Sequence, residues 1–427
     1  MRVYVLNMRG KPLMPTTPAK ARHLLRDGKA KVVRREPFTI QLTYVAGEAT
    51  QPIVLGVDAG SKVIGLSAST EDEELYAAEV HLRTDVSELL ATRKQCRKAR
   101  RSRTTRYRKM RRLNHIHSKP KGWLAPSVEQ KITTHLRVIA DVHKILPVCK
   151  IIIETASFDI QKIKNPEISG IEYQQGEQHG FWNVREYVLW RDRYECQYCC
   201  GRSKDSVLTV HHIQSRKTGG DAPNNLITLC ETCHKKYHSG EIELPVKRGK
   251  SYCDATFMGI MRKTTLARLR AQYQAVEMTY GYLTKNSRIS HNLPKGHRID
   301  ALCISGHPGA ALSDVWYRQK AIRTRNRQIH KATINKGGTR KLNQAPKYVF
   351  GFQLFDKVRM PDRRVGFVFG RRSSGSFDIR TLDGTHLSAG ISYKKLCRLC
   401  RRKTVLLEIA ASVLHRTILA ADTRQAI

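Results

Sequence analysis

The chain has 427 residues, long enough for two to four domains, and its 40% hydrophobic content is adequate for folded cores. Its 77 Lys and Arg against 36 Asp and Glu leave a formal net charge of +41, which points to a polyanion as standing partner. No run of eighteen apolar residues exists, which excludes a spanning helix and membrane partners; Met1-Arg2-Val3-Tyr4 opens no secretory signal, so a soluble, cytoplasmic protein is expected.

Residues 1 to about 50 read as a small α+β module. Residues 3–6 have the composition of a strand. Lys11-Pro12-Leu13-Met14-Pro15 reads as a turn whose prolines preclude regular pairing. Residues 19–26 have helical periodicity with His23, Leu24 and Leu25 on the apolar side, and residues 32–33 and 38–42 return as strands. Arg22, Arg26, Lys29, Lys31, Arg34 and Arg35 suit this module to nucleic-acid contact.

Pro52 starts the next unit. Residues 53–58 form an apolar strand ending in Asp58, a glycine turn follows at 59–62, and residues 64–68 return as a strand. A carboxylate there is a common metal-ligand position, although turn chemistry alone also places Asp in such turns. Residues 93–112 hold twelve Lys or Arg and no Pro or Gly, so they can form one long helix without an apolar stripe. Arg93, Arg97, Arg100, Arg101, Arg103, Arg106, Arg108, Arg111 and Arg112 are its candidate nucleic-acid contacts. The alternative is a disordered basic linker.

The spacing of Ile132, Leu136, Ile139, Val142, Ile145 and Leu146 predicts an amphipathic helix over 128–146, stopped by Pro147. Residues 148–153 form a second buried strand, again ending in an acid, Glu154. Residues 160–180 read as a polar linker, and a helix around 184–193 enters the next unit.

That unit is the most specific stretch of the chain. Cys196 and Cys199, then Cys230 and Cys233, have the spacing of a four-thiolate structural zinc site, which knots a unit too small for a core of its own. The seven other cysteines read as free thiols. Between the thiolates lie His211-His212 and Asn225; His234 and His238 follow, four apart on one helical face. One imidazole can hold a divalent ion while its neighbour takes a proton from water. The pattern resembles the HNH endonuclease motif in its zinc-bearing form; the bland alternative is a zinc ribbon with incidental histidines.

Beyond it, residues 264–274 read as a helix, and residues 297–304 as the start of another, with His297 and Asp300 three apart. Residues 322–347 are basic and irregular. Short strands at 349–355, 365–369, 377–382 and 391–393 suggest a small β-barrel or curled sheet. Asp58, Glu154 and Asp300 share one kind of setting, and three converging carboxylates can hold two Mg2+ ions ~4 Å apart.

In this order the chain resembles the IscB family of transposon-encoded, RNA-guided DNA endonucleases over essentially its whole length. The residues that carry the resemblance are Lys11 to Pro15, the strand with Asp58, the arginine helix, the strand with Glu154, the inserted HNH unit and the His297-to-Asp300 helix. The resemblance implies a multidomain α/β and α+β fold: a PLMP module (1–51), a split RuvC-like domain of RNase H type (52–85, 114–180, 246–344), an arginine-rich bridge helix (86–113), a ββα HNH domain with structural zinc (181–245) and a C-terminal β module meeting a target-adjacent motif (345–427). It implies a RuvC-like site in which Asp58, Glu154 and Asp300 hold two Mg2+ and His297 acts as base or orienter. It implies an HNH site in which His212 is the base, Asn225 fixes its loop, and His211, His234 and His238 hold one Mg2+; whether both of the last two touch the ion stays open. The implied partners are a structured guide RNA and double-stranded target DNA, around a monomeric protein. Rival readings are a protein-guided HNH endonuclease and a non-catalytic RNA-binding transposon protein.

Overall fold

In the computed structural model, residues 2–101, 122–155, 178, 180–214, 221–244, 253–324 and 346–411 are described. Arg103, Arg106, Arg108, Arg111 and Arg112 lie outside them, as do most of the 160–180 linker and of the basic stretch 322–347. The chain divides into two units, 1–156 with 260–427, and 157–259.

The first unit begins with β1 (Val3–Leu6), β2 (Pro12–Thr16), α1 (Pro18–Arg26), β3 (Ala30–Arg35) and β4 (Phe38–Leu42), in a sheet of order β2-β1-β4-β3. Alternation does the sorting: Val3 and Val5 face a small core with Leu13, Ala21, Ile40 and Leu42, while Tyr4 points the other way, into the neighbouring core. Its hydroxyl donates to the Leu75 carbonyl at 3.1 Å. Residues 12–16 are a correction. They pair with β1 rather than turning, because β2 is the sheet's edge and a proline there forfeits no ladder bond. His23 is exposed; Ala21 is the side chain that α1 buries.

Next come β5 (Ile53–Ala59), β6 (Val63–Ser69) and β7 (Glu74–His81), an antiparallel meander, then α2 (Val86–Arg101), α3 (Pro126–His143) and β8 (Val148–Glu154). The basic helix thus begins earlier than its charge run suggests, and Arg93 and Arg97 are exposed on it.

The second unit holds α4 (Val184–Arg191), β9 (Leu208–His212), β10 (Leu226–Cys230) and α5 (Glu231–Ser239), with β9 and β10 antiparallel. Arg191 ties α4 to the hairpin by donating to the carbonyls of Pro223 (2.7 Å) and Leu226 (2.9 Å). Cys196, Ile227, Leu229, Cys230 and Cys233 form its small core.

The chain returns through α6 (Cys253–Arg270), β11 (Val276–Thr279), α7 (Gly281–Ser290), α8 (His297–Ser305) and β12 (Val315–Ala321). It then forms β13 (Lys357–Arg359), β14 (Val365–Arg371), β15 (Ser376–Arg380), β16 (His386–Ser392), β17 (Cys397–Cys400) and β18 (Val405–Ala411). Seven strands make the main sheet, in the order β11-β8-β5-β6-β7-β12-β18. On β5, Ile53, Leu55 and Val57 join α3 side chains such as Ile139 in the main core. Gly56 and Asp58 face the opposite side, where α8 lies.

Three expectations for the C-terminal part change. Among the described residues its five-stranded sheet, β16-β15-β14-β13-β17, has two edges, which fits the curled-sheet alternative and not a closed barrel. Val405–Ala411 does not belong to it but pairs with β12 in the main sheet. Residues 349–355 form a turn with one isolated bridge rather than a strand.

Candidate functional site

Parallel pairing brings the strand-end acids together. Val57 lies opposite Ile153, so Asp58 and Glu154 follow side by side on adjacent strands. Asp300 arrives on α8, and α8 reaches the sheet because two strand residues lack a side chain. A Cβ on Gly56 would sit 1.9 Å from the Ala301 carbonyl oxygen, and one on Gly65 would sit 1.9 Å from that of His297. Only glycine admits a backbone so close.

Each acid has its own cation. His297 Nδ1 is 2.6 Å from Asp58 Oδ2. Arg262, buried beneath the site, places Nη2 3.1 Å from Glu154 Oε1, and its Nε donates to the Ala59 carbonyl. Arg288 Nε lies 3.0 Å from Asp300 Oδ1. Burial pushes the Glu154 carboxyl above its ordinary range, with Arg262 opposing and Asp58 and Asp300 adding to the rise. Burial and then Asp58 raise Asp300. The hydrogen bond to Asp58 raises His297 against the effect of burial.

Among the described residues, two sets of three or more ligand-type side chains draw within 4.8 Å of one another, and this trio is not one of them. The acids meet at one end of the sheet, each drawn toward its cation. Three partly buried carboxylates that raise one another's proton affinity are nonetheless a donor set suited to a hard divalent cation.

The two closer sets both lie in the second unit. Cys196, Cys199, Cys230 and Cys233 form the first. Cys199 Sγ and Cys230 Sγ are 3.8 Å apart, which matches a tetrahedral edge of ~3.8 Å for ~2.3 Å zinc–sulfur bonds. All four thiols are free. Burial acts to raise the Cys199 thiol, but hydrogen bonds with Ser203 and the neighbouring thiols outweigh it and bring it to about 6. The set can hold a structural zinc ion.

His211, His234 and His238 form the second set. The hairpin supplies His211 and one face of α5 supplies the other two. His211 is buried, and its Nε2 has no hydrogen-bond partner among the described residues. Burial, then the neighbouring imidazoles, push its pKa down to about 4, and burial also lowers His234. Neutral imidazoles with a free buried nitrogen fit a divalent metal.

His212, the next residue along β9, points the other way. Its Nε2 is 2.9 Å from Asp221 Oδ1. A carboxylate only accepts, so the shared hydrogen sits on Nε2, and in the neutral ring that leaves the Nδ1 lone pair free. Asn225 is fully buried and grips the chain just beyond His212. Its Oδ1 accepts from the Gln214 amide and its Nδ2 donates to the Gln214 carbonyl, both at 2.9 Å.

The structure therefore groups His211 with His234 and His238, sets His212 and Asn225 beside them, gathers the four thiols, and brings Asp58, His297, Glu154 and Asp300 to one end of the main sheet. Arg93 lies on exposed α2; Arg97, Arg100 and Arg101 follow on the same helix. Sequence reasoning missed Asp221, Arg262 and Arg288. None lies in a motif, and only the strand glycines Gly56 and Gly65 hinted at the helix laid across the sheet.

Compared with known proteins, residues 3–176 match the family model described as RRXRR protein, and residues 196–240 the one described as HNH endonuclease. A 58-residue stretch is 36% identical to anaredoxin of Nostoc sp., covering 13% of this chain and 74% of that protein; through that stretch the two belong to one family. Two solved structures of Streptococcus thermophilus Cas9, in complex with the AGAA and AGGA PAM, share 13% identity at TM-scores of 0.31 and 0.30, over 43% of this chain. The chain spans 26% of their length, a likeness too slight to carry an argument.

Proposed function

We propose that this chain, which carries an HNH endonuclease domain and so is a nuclease acting on nucleic acid, is an RNA-guided DNA endonuclease of the IscB type. The observation that carries the reading is the pairing of two separate acid–base constellations in one chain of net charge +41. The sheet supports a split RuvC-like domain: a β5-β6-β7 meander extended by parallel β8 and β11, with the HNH unit inserted in sequence between those two strands.

In the HNH site, His212 Nδ1 takes the proton from a water whose oxygen attacks the phosphorus, and the bond to the 3′ oxygen breaks. Asp221 holds the imidazole in that tautomer. His211, His234 and His238 would hold the divalent ion, which when bound stabilises charge on the phosphate and leaving oxygen. In the second site Asp58, Glu154 and Asp300 would hold Mg2+, with His297 orienting Asp58. The HNH site cuts the guide-paired strand, the carboxylate site the displaced one. A structured guide RNA supplies sequence choice by base pairing, and cationic α2 holds the backbone.

The test begins by sequencing RNA that co-purifies with the protein, then programming that RNA against a DNA target. Asp58→Ala and His212→Ala should each leave a nickase, for opposite strands. Double-strand cutting by either variant, or site-specific cutting by RNA-free protein, rejects the reading.

A further inference from the structure

We infer that Tyr280 and Tyr282 form a stacking platform for unpaired bases of single-stranded DNA entering the carboxylate site; this rests on the proposed nuclease role of Asp58, Glu154 and Asp300. The two rings stack on each other, with centroids 6.0 Å apart and planes 18° apart. They are 42% and 62% exposed, so they serve no core. Their position is set by the site. Thr279 is the register partner of Glu154 across β11 and β8, and Tyr280 follows it directly. Gly281, between the tyrosines, lies against the Glu154 carboxylate: a Cβ there would be 3.1 Å from Oε1.

Helix α7 works on two faces. Its inner side sends Arg288 to Asp300. Its outer side presents Tyr282, Lys285, Asn286 and Ile289, all exposed and spaced three and four apart on one face. An aromatic ring, a cation and an amide in a row, starting one residue after the glycine that lies against Glu154, match the chemistry of a strand with bases and phosphates. A π-face accepts any base. That tolerance suits a site whose target is chosen elsewhere, by RNA pairing.

The test uses the full chain. In the Asp58→Ala protein, single-stranded DNA carrying 5-iodouracil should photo-crosslink to the peptide containing 280–282. Tyr282→Leu should remove that crosslink and Tyr282→Phe should keep it. In the cutting-competent protein with its co-purified RNA, Tyr282→Leu should raise KM for the displaced strand roughly 10-fold while the paired strand is cut as before. Crosslinks mapping only elsewhere, or a Leu variant that cuts the displaced strand like the parent, would overturn the platform. Crosslinking in Asp58→Ala does not need the carboxylates to cut, so failure of the platform and failure of the nuclease reading are told apart.

Discussion

His297, Glu154 and Asp300 all hold protons more tightly than their free counterparts, and all three face Asp58. Their ion pairs hold the carboxylates together. Protons and a metal ion compete for these groups, so metal affinity should rise with pH. Isothermal titration of Mg2+ at rising pH should show the parent gaining more affinity than an Asp300→Asn chain. An Asp300→Asn chain that binds Mg2+ like the parent at every pH would exclude metal binding by Asp300. Asp221 makes a second prediction. Asp221→Asn keeps the shape but loses the fixed acceptor for His212 Nε2–H, so paired-strand cutting should fall roughly 10- to 100-fold. Displaced-strand cutting and zinc content, measured on the same preparation, should stay unchanged. The clustering of the four thiols and of His211, His234 and His238 was legible in sequence because ligand-type residues of one unit keep short, fixed spacings. Asp221 was not, since a loop residue nine positions on meets His212 only through the fold.

At the scale of elements, α8 is the piece that completes the carboxylate site, and it is seated by the two strand glycines together with its own buried Ile299, Leu302 and Ile304. Gly65→Ala puts a methyl into the His297 carbonyl, and α8 must lift. Loss of about 1–3 kcal/mol of stability should follow, read by thermal unfolding, with displaced-strand cutting falling more than paired-strand cutting. Equal loss of both would mean that α8 does not serve one site in particular. The ββα order of the HNH unit came with the resemblance, whereas β5, β8 and the start of α8 read from the residues themselves. Strand β2 did not: the prolines that argue against a central strand are harmless at an edge, and edge position is a tertiary property. Strand β7 was missed because it is buried on both faces, and β12 because one of its alternating buried positions is the polar Gln319, so neither alternates apolar with polar residues.

For the whole molecule the governing number is +41. Phosphate contacts release counterions, so affinity for nucleic acid should fall about 10³-fold or more between ~50 mM and ~200 mM salt. Filter binding with a non-specific duplex measures it, and a flat curve would mean the charge does not serve binding. Among the described residues no helix is long and apolar enough to cross a membrane. The order of the candidate site residues along the chain was legible, whereas the assignment of Val405–Ala411 to the main sheet was not, because pairing partners far apart in sequence leave no local signature.

Sequence by itself determined the ligand-type residues, the charge and the clustering of the four thiols with the histidines, because thiols and imidazoles at fixed spacing imply their chemistry before any folding. Only the tertiary structure decided which groups answer each other: His297 for Asp58, Arg262 for Glu154, Arg288 for Asp300 and Asp221 for His212. Those pairs depend on strand order, on a helix resting on two glycines and on a loop returning to its hairpin. A short-range Coulombic contact between distant positions has no period for a sequence to display.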